Sequence, residues 1–265
     1  MPDPGDTPKH LPDGLYDHLV DVALKAKLDG IGDPRLAELA DVDSEDAHSA
    51  IAQYLERLLA ASLSTLRGRE SADRQRRLVD RVIETLVAEL GDDWTDRFNL
   101  ASPLRRLIAV HSEPQAGGAS RPDTPLARSA LLTGTRLDPS LASQLSKEFA
   151  AADRVDILCS FIKWSGIRLL LDALGELTAT PHPDGPRLRV ISTSYMGATD
   201  AKAIEALRDL PNTEVKVSYD TNRTRLHAKA YLAHRETGFG SAYIGSANVS
   251  RAALSEGLEW TSKIS

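Results

Sequence analysis

A single cysteine, Cys159, stands in this chain of 265 residues, which excludes an internal disulfide and any thiol pair at metal-site spacing. Within the apolar stretch DILCSFI it reads as a small buried residue. Equally absent is any uncharged apolar run of about 18 residues, and the opening MPDPGDTPKHLPDG shows no basic start leading into an apolar stretch. Both absences argue for a cytoplasmic protein without a membrane partner. No internal repeat of about 20 to 50 residues recurs. What is present, 42% hydrophobic and 26% charged residues, is too apolar for a disordered chain and sufficient for two packed domains.

The net charge of −6 argues against an anionic partner only if it is evenly spread, and it is not. Residues 1–126 hold 15 Lys and Arg against 23 Asp and Glu, 127–186 hold 6 against 7, and 187–265 hold 11 against 8. The acidic excess therefore lies far from the basic end. A local excess of this size permits phosphate binding without demonstrating it.

Spacing predicts helices over the first part of the chain. Leu15, Leu19 and Val22 form one stripe ending before Gly30. A second begins near Ser44 and runs through Ile51, Leu55, Leu58, Leu59 and Leu63 to Gly68. A third runs from Leu78 through Val82, Ile83 and Leu86 to Leu90 and Gly91, and Ser102-Pro103 reads as the start of a short fourth. Residues 1–111 are thus expected to pack as an N-terminal helical bundle. The aperiodic segment SEPQAGGASRPDTP marks a linker over 112–126. Beyond it, in 127–265, short β-rich segments (RSALLTG, RVDILCSFI, LRVISTS, TEVKVSYD, LHAKAYLAH, SAYIGSA, EWTSKIS) alternate with helical ones (LASQLSKEFAAA, GIRLLLDALGEL, ATDAKAIEALRDL). Such alternation predicts an α/β fold with helices on the faces of the sheet.

Chemistry concentrates between Arg225 and Trp260. His227 and Lys229, two apart on an expected strand, share a face. Gly245-Ser246-Ala247-Asn248 closes another strand with a hydroxyl and an amide two positions apart. Glu259 follows where the chain can return to the sheet and set a carboxylate behind an imidazole. Phosphodiester cleavage needs a nucleophile that later leaves, positive charge on the developing phosphorane, and a proton for the departing oxygen. Histidine attacks when neutral and donates when cationic.

HxK followed by GSxN and a later glutamate resembles the phospholipase D superfamily, also called HKD. FIKWSGIRLLLDAL, STSYMGATDAKAIEAL and SYDTNRTRLHAKAYLAH are similar to the phospholipase D-like domain near the N-terminus of bacterial superfamily II helicases of restriction and phage defence. The resemblance covers residues 128–265. It implies a phospholipase D-like mixed sheet flanked by helices. His227 becomes a nucleophile forming a phosphohistidine, Lys229, Ser246 and Asn248 become phosphate ligands, and Glu259 the partner of a histidine. It also implies nuclease activity on nucleic acid, DNA in particular, with no metal or other cofactor, and a homodimer whose two-fold axis joins two single-motif sites. The end at Ser265 suggests a fragment from which a helicase region has been removed.

In one respect the chain departs from the family: five residues after Lys229, where HKD proteins carry aspartate, stands His234. Its odd spacing from His227 puts it on the opposite face, in a surface or packing role rather than at a metal. Arg223 and Arg225 flank the motif as backbone contacts or as solvated charges. Tyr195 and Trp164 follow strand ends where bases could stack, core packing being the plainer account. His10, His18, His48, His111 and His182 form no constellation. Two further readings remain open: a DNA-binding or dimerisation module of the same fold that does not hydrolyse, and a lipid phosphodiesterase. The latter is disfavoured because no amphipathic membrane face is seen.

Overall fold

The computed structural model describes residues 11, 15, 18–31, 37–90, 100–110, 120–220 and 226–265. His10, Gly91, His111, most of the expected linker, Arg223 and Arg225 lie outside them. The chain divides into two compact units, Met1–Leu107 and Ile108–Ser265. Among the described residues no helix is long and apolar enough to cross a membrane.

In the first unit Asp21 caps α1 (Val22–Asp29), its carboxylate accepting from the Leu24 amide at 2.8 Å. The helix therefore starts after Leu15 and Leu19, which the stripe would have placed inside it. α2 (Ala47–Thr65) and α3 (Ser71–Leu90) follow their stripes. Gln75 Nε2 closes the end of α2 by donating to the carbonyls of Leu63 at 2.9 Å and Leu66 at 3.3 Å. Among the described residues of this unit none is buried, so they show no bundle core, and Ile51, Leu55 and Leu58 are about half exposed. An apolar stripe sets the period of a helix but not what covers it. Nor is there a helix at Ser102-Pro103: residues 100–110 leave Leu104, Leu107, Ile108 and Val110 exposed, and so short a segment gains helix only by burying a face.

The second unit holds one sheet of seven strands. These are β1 (Ala130–Leu132), β2 (Arg154–Cys159), β3 (Leu188–Thr193), β4 (Thr213–Ser218), β5 (Lys229–His234), β6 (Ser241–Gly245) and β7 (Thr261–Ile264). Their order is β1-β7-β6-β5-β2-β3-β4. β2, β3 and β4 are parallel and the remaining pairs antiparallel, so the sheet is mixed. Burial alternates along β2 and β5, as a strand's period of two requires. Val155, Ile157, Val190 and Tyr231 enter one core with Leu145 and Phe149 of α4 (Leu141–Ala150), Leu174 of α6 (Leu171–Thr178) and Leu207 of α7 (Ala201–Arg208). Each fully buried leucine contributes about 2 kcal/mol.

The helices of this unit share that one core, while Leu131, Ile191, Ile244 and Ile264 on the other face are 42% to 51% exposed. Successive parallel crossovers of one hand return on the same side, and β5, β6 and β7 connect without a full helix to cover the second. The expected helix over GIRLLLDALGEL splits into α5 (Trp164–Ile167) and α6. Its first turn is pressed against a neighbouring loop, since a Cβ on Gly166 would lie 2.5 Å from the Ser250 nitrogen.

A buried polar network ties α4 to the antiparallel strands. Glu148 accepts from Arg235 at 2.6 Å and from the Tyr243 hydroxyl at 2.7 Å, with the Lys263 ammonium 3.5 Å away. Burial holds the Lys263 ammonium below the ordinary lysine value, opposed by the charge of Glu148. Gln144 donates to the Tyr243 hydroxyl at 2.8 Å.

Strand directions decide where the motif residues meet. The carboxyl ends of β2, β3, β4 and β6 and the amino ends of β5 and β7 fall on one edge of the sheet. That edge collects Ser160, His227, Lys229, the Gly245–Asn248 turn and Glu259.

Candidate active site

His227 is exposed immediately before β5, and Lys229, the first residue of that strand, is only 7% exposed behind it. The Lys229 ammonium donates to the His227 carbonyl at 2.9 Å and to Ser160 Oγ at 3.3 Å, and lies 3.2 Å from each ring nitrogen of His227. Ser160 is itself fixed, its hydroxyl donating to the Ala228 carbonyl at 3.1 Å. Burial lowers the pKa of Lys229 from the ordinary lysine value, opposed in part by the negative charge of Glu259.

The turn after β6 is held from three sides. Ser246 donates its backbone N–H to the Trp260 carbonyl at 3.0 Å, and the Trp260 N–H donates to Ser246 Oγ at 3.2 Å. Gly245 admits this approach because a Cβ there would fall 2.1 Å from the Trp260 oxygen. From beneath, the Tyr231 hydroxyl donates to the Ala247 carbonyl at 2.8 Å. Burial pushes that phenol well above its usual pKa, so it remains a donor. From the side, Asn248 Oδ1 accepts from the Phe161 N–H at 3.2 Å, with Cys159 Sγ 3.7 Å away. Among the described residues, Asn248 Nδ2 has no hydrogen-bond partner.

Glu259 is brought to this edge, but its carboxylate accepts from the Ser246 hydroxyl. Among the described residues, no hydrogen bond joins it to His227. The strand order supplies the reason: β6 lies between β7 and β5, so Ser246 is the nearer neighbour. His234 is on the opposite face, its Nε2 2.9 Å from Asp156, which also takes two hydrogen bonds of 2.6 Å from Arg189. Trp164 packs against the core under the ammonium of Lys202, 4.1 Å from its ring centre. Of the scattered histidines, His18 faces Arg57 at 3.2 Å and His182 faces Glu236 at 3.4 Å. Among the described residues, no three His, Cys, Asp or Glu side chains gather as a metal site would require.

Ser160, Tyr231 and the Phe161 amide escape the sequence reading. Tyr231 alone left a sign, sharing the parity of His227 and Lys229. The assembly places an imidazole, an ammonium, an amide donor and a hydroxyl on one exposed edge, a set suited to gripping a tetrahedral oxyanion.

Residues 139–263 match the model of the NgoFVII restriction endonuclease N-terminal PLD domain. No curated protein matches the chain. Among solved structures, NucT from Helicobacter pylori aligns at 16% identity over 51% of this chain and 84% of its own, with a TM-score of 0.40. Nuc from Salmonella typhimurium, a phospholipase D family member, aligns at 17% identity over 52% and 83%, with a TM-score of 0.34. Yeast tyrosyl-DNA phosphodiesterase aligns at 10% identity over 51% of this chain and 31% of its own, with a TM-score of 0.35. The family match spans every residue of the edge just described, so residues 139–263 are similar, site included, to the NgoFVII restriction endonuclease N-terminal PLD domain.

Proposed function

We propose that the second unit is a metal-independent nuclease that cleaves DNA through a phosphohistidine on His227. The observation that carries this reading is the buried Lys229 ammonium, 3.2 Å from both ring nitrogens of an exposed histidine. It supplies the positive charge that a phosphorane needs, and Asn248 Nδ2 supplies a neutral donor, to which the Ser246 hydroxyl would add only on leaving Glu259. In the first step an unprotonated ring nitrogen attacks phosphorus, the P–N bond forms and the P–O bond breaks. The leaving oxygen takes a proton from an acid. In the second step water attacks phosphorus, the P–N bond breaks, and the water's proton passes to the base left by the first step.

A single motif supplies one imidazole, and this mechanism uses two. A two-fold dimer would bring the second copy's His227 as the acid and would offer Glu259 a histidine to orient. Light scattering that finds only monomer, with and without substrate, would rule that arrangement out. The restriction endonuclease in the family's description, and the likeness to helicase-linked domains, support a role as effector of a cytoplasmic restriction or anti-phage defence protein with a helicase region.

The test is cleavage of DNA in excess chelator by the wild-type chain and by His227→Ala. Chelator-resistant cleavage lost in the variant is expected. Binding without cleavage in both would favour the second reading, a DNA-gripping or dimerisation module, for which the engagement of Glu259 with Ser246 instead of His227 is the supporting observation.

A further inference from the structure

Trp260 is 64% exposed, although Glu259 before it is partly buried and Thr261 after it is buried. So large an apolar ring left in water forgoes the burial that most tryptophans gain. The residue is also not on a slack loop. Its N–H and carbonyl both bond to Ser246, at 3.2 and 3.0 Å, and the close backbone approach at Gly245 packs behind it. The main chain that carries the indole is thus the same rigid piece that positions the hydroxyl at the phosphate site.

Burial along β7 alternates, Thr261 and Lys263 inward and Ser262 and Ile264 outward, and Trp260 continues the outward set. A strand whose phosphate lies at Lys229 and Asn248 and that passes over the edge onto the open face would reach it beside Ser246, to which the Trp260 backbone is bonded. Leu258, 78% exposed, extends the apolar surface beside the indole. Every base has a flat π-face, so stacking on an indole tolerates any sequence. Inside a closed duplex those faces are covered by neighbouring base pairs, whereas an unpaired base can offer one.

We propose that Trp260 is the stacking platform for the base next to the scissile phosphate, and that the site takes single-stranded or unpaired nucleic acid in preference to closed duplex. The inference rests on the phosphodiesterase reading above.

The experiment compares cleavage of oligo(dT), of the same strand in a duplex, and of a strand of equal length built from abasic tetrahydrofuran nucleotides. Wild type is expected to cleave oligo(dT) about tenfold or more faster than either alternative at low substrate concentration. Trp260→Ala should lose that preference and treat oligo(dT) as it treats the abasic strand. Trp260→Phe, which keeps a flat ring, should retain most of it and shows that lost preference is not lost fold. A preference for oligo(dT) that survives in Trp260→Ala overturns the inference and leaves the phosphodiesterase reading standing. No cleavage of any strand by wild type overturns that reading, and the platform with it. A dimer that falls to monomer in Trp260→Ala would reassign the indole to a contact between copies, and would also overturn the inference.

Discussion

The backbone N–H of Phe161 holds Asn248 by its oxygen, at 3.2 Å, and leaves both hydrogens of the carboxamide for a ligand. Asn248→Asp and Asn248→Ala separate these two jobs. Aspartate keeps an acceptor for Phe161 and puts negative charge beside the phosphate, so kcat/KM should fall at least about a hundredfold with little change in Tm. Alanine should lose as much activity and also about 1 kcal/mol of stability, because the Phe161 amide loses its partner. Phosphodiesterase assays and thermal melts on both variants check the pair.

Lys229 serves the site at a cost to the fold. Its pKa is lowered by burial, so between the folded value and the ordinary lysine value of 10.5 the unfolded chain binds more protons, and stability rises with pH through that window. Lys229→Met should therefore abolish hydrolysis yet raise Tm at pH 7. That advantage over wild type should shrink as the pH climbs toward the ordinary lysine range. Paired melts at pH 7 and pH 10 measure it, and a variant less stable than wild type at pH 7 contradicts the argument.

Tyr231 acts through the loop above it. Tyr231→Phe removes the hydrogen bond to the Ala247 carbonyl together with the hydroxyl's 3.9 Å contact with Cys159 Sγ. It is expected to cost about 1 kcal/mol of stability and to lower kcat about tenfold to a hundredfold by loosening the donors on that turn. Loss confined to stability, with kcat unchanged, would assign Tyr231 to the core alone.

Restoring the aspartate that HKD proteins carry would not help this chain. His234 points to the face away from the site and bonds to Asp156. Burial alone would raise the Asp156 pKa, but hydrogen bonds from Arg189 and His234 outweigh it and the value is lowered. Stability from that carboxylate is full above its ordinary pKa of 3.8 and fades as the pH falls through the lowered value. His234→Asp would set two carboxylates side by side, so Tm should drop while activity stays within about twofold. A marked gain in activity would place residue 234 in the chemistry.

The residues that meet on this edge were legible because each needs only its neighbours in sequence. His227 and Lys229 share a face by parity, and Ser246 and Asn248 sit on a glycine turn that closes a strand. What Glu259 touches was not legible, since it depends on β6 lying between β5 and β7, which no local pattern announces. The Glu148 network was hidden for the same reason: Glu148 sits on α4 among apolar positions, and its partner Tyr243 lies 95 residues further on. The N-terminal stripes gave helices but not a core, and the alternation of strands and helices gave a sheet with helices on its faces but not that one face would stay open.

Lys229 reaches Ser160 across 69 residues, and Asn248 reaches Phe161 across 87. Contacts so distant in sequence form late in folding, after the loops between them have closed. A nascent chain that has emerged as far as β5 carries the histidine and lysine but lacks the turn that would orient a phosphate against them. On the proposed reading, the hydrolytic site is in this way kept silent by topology alone until the last strands have joined the sheet.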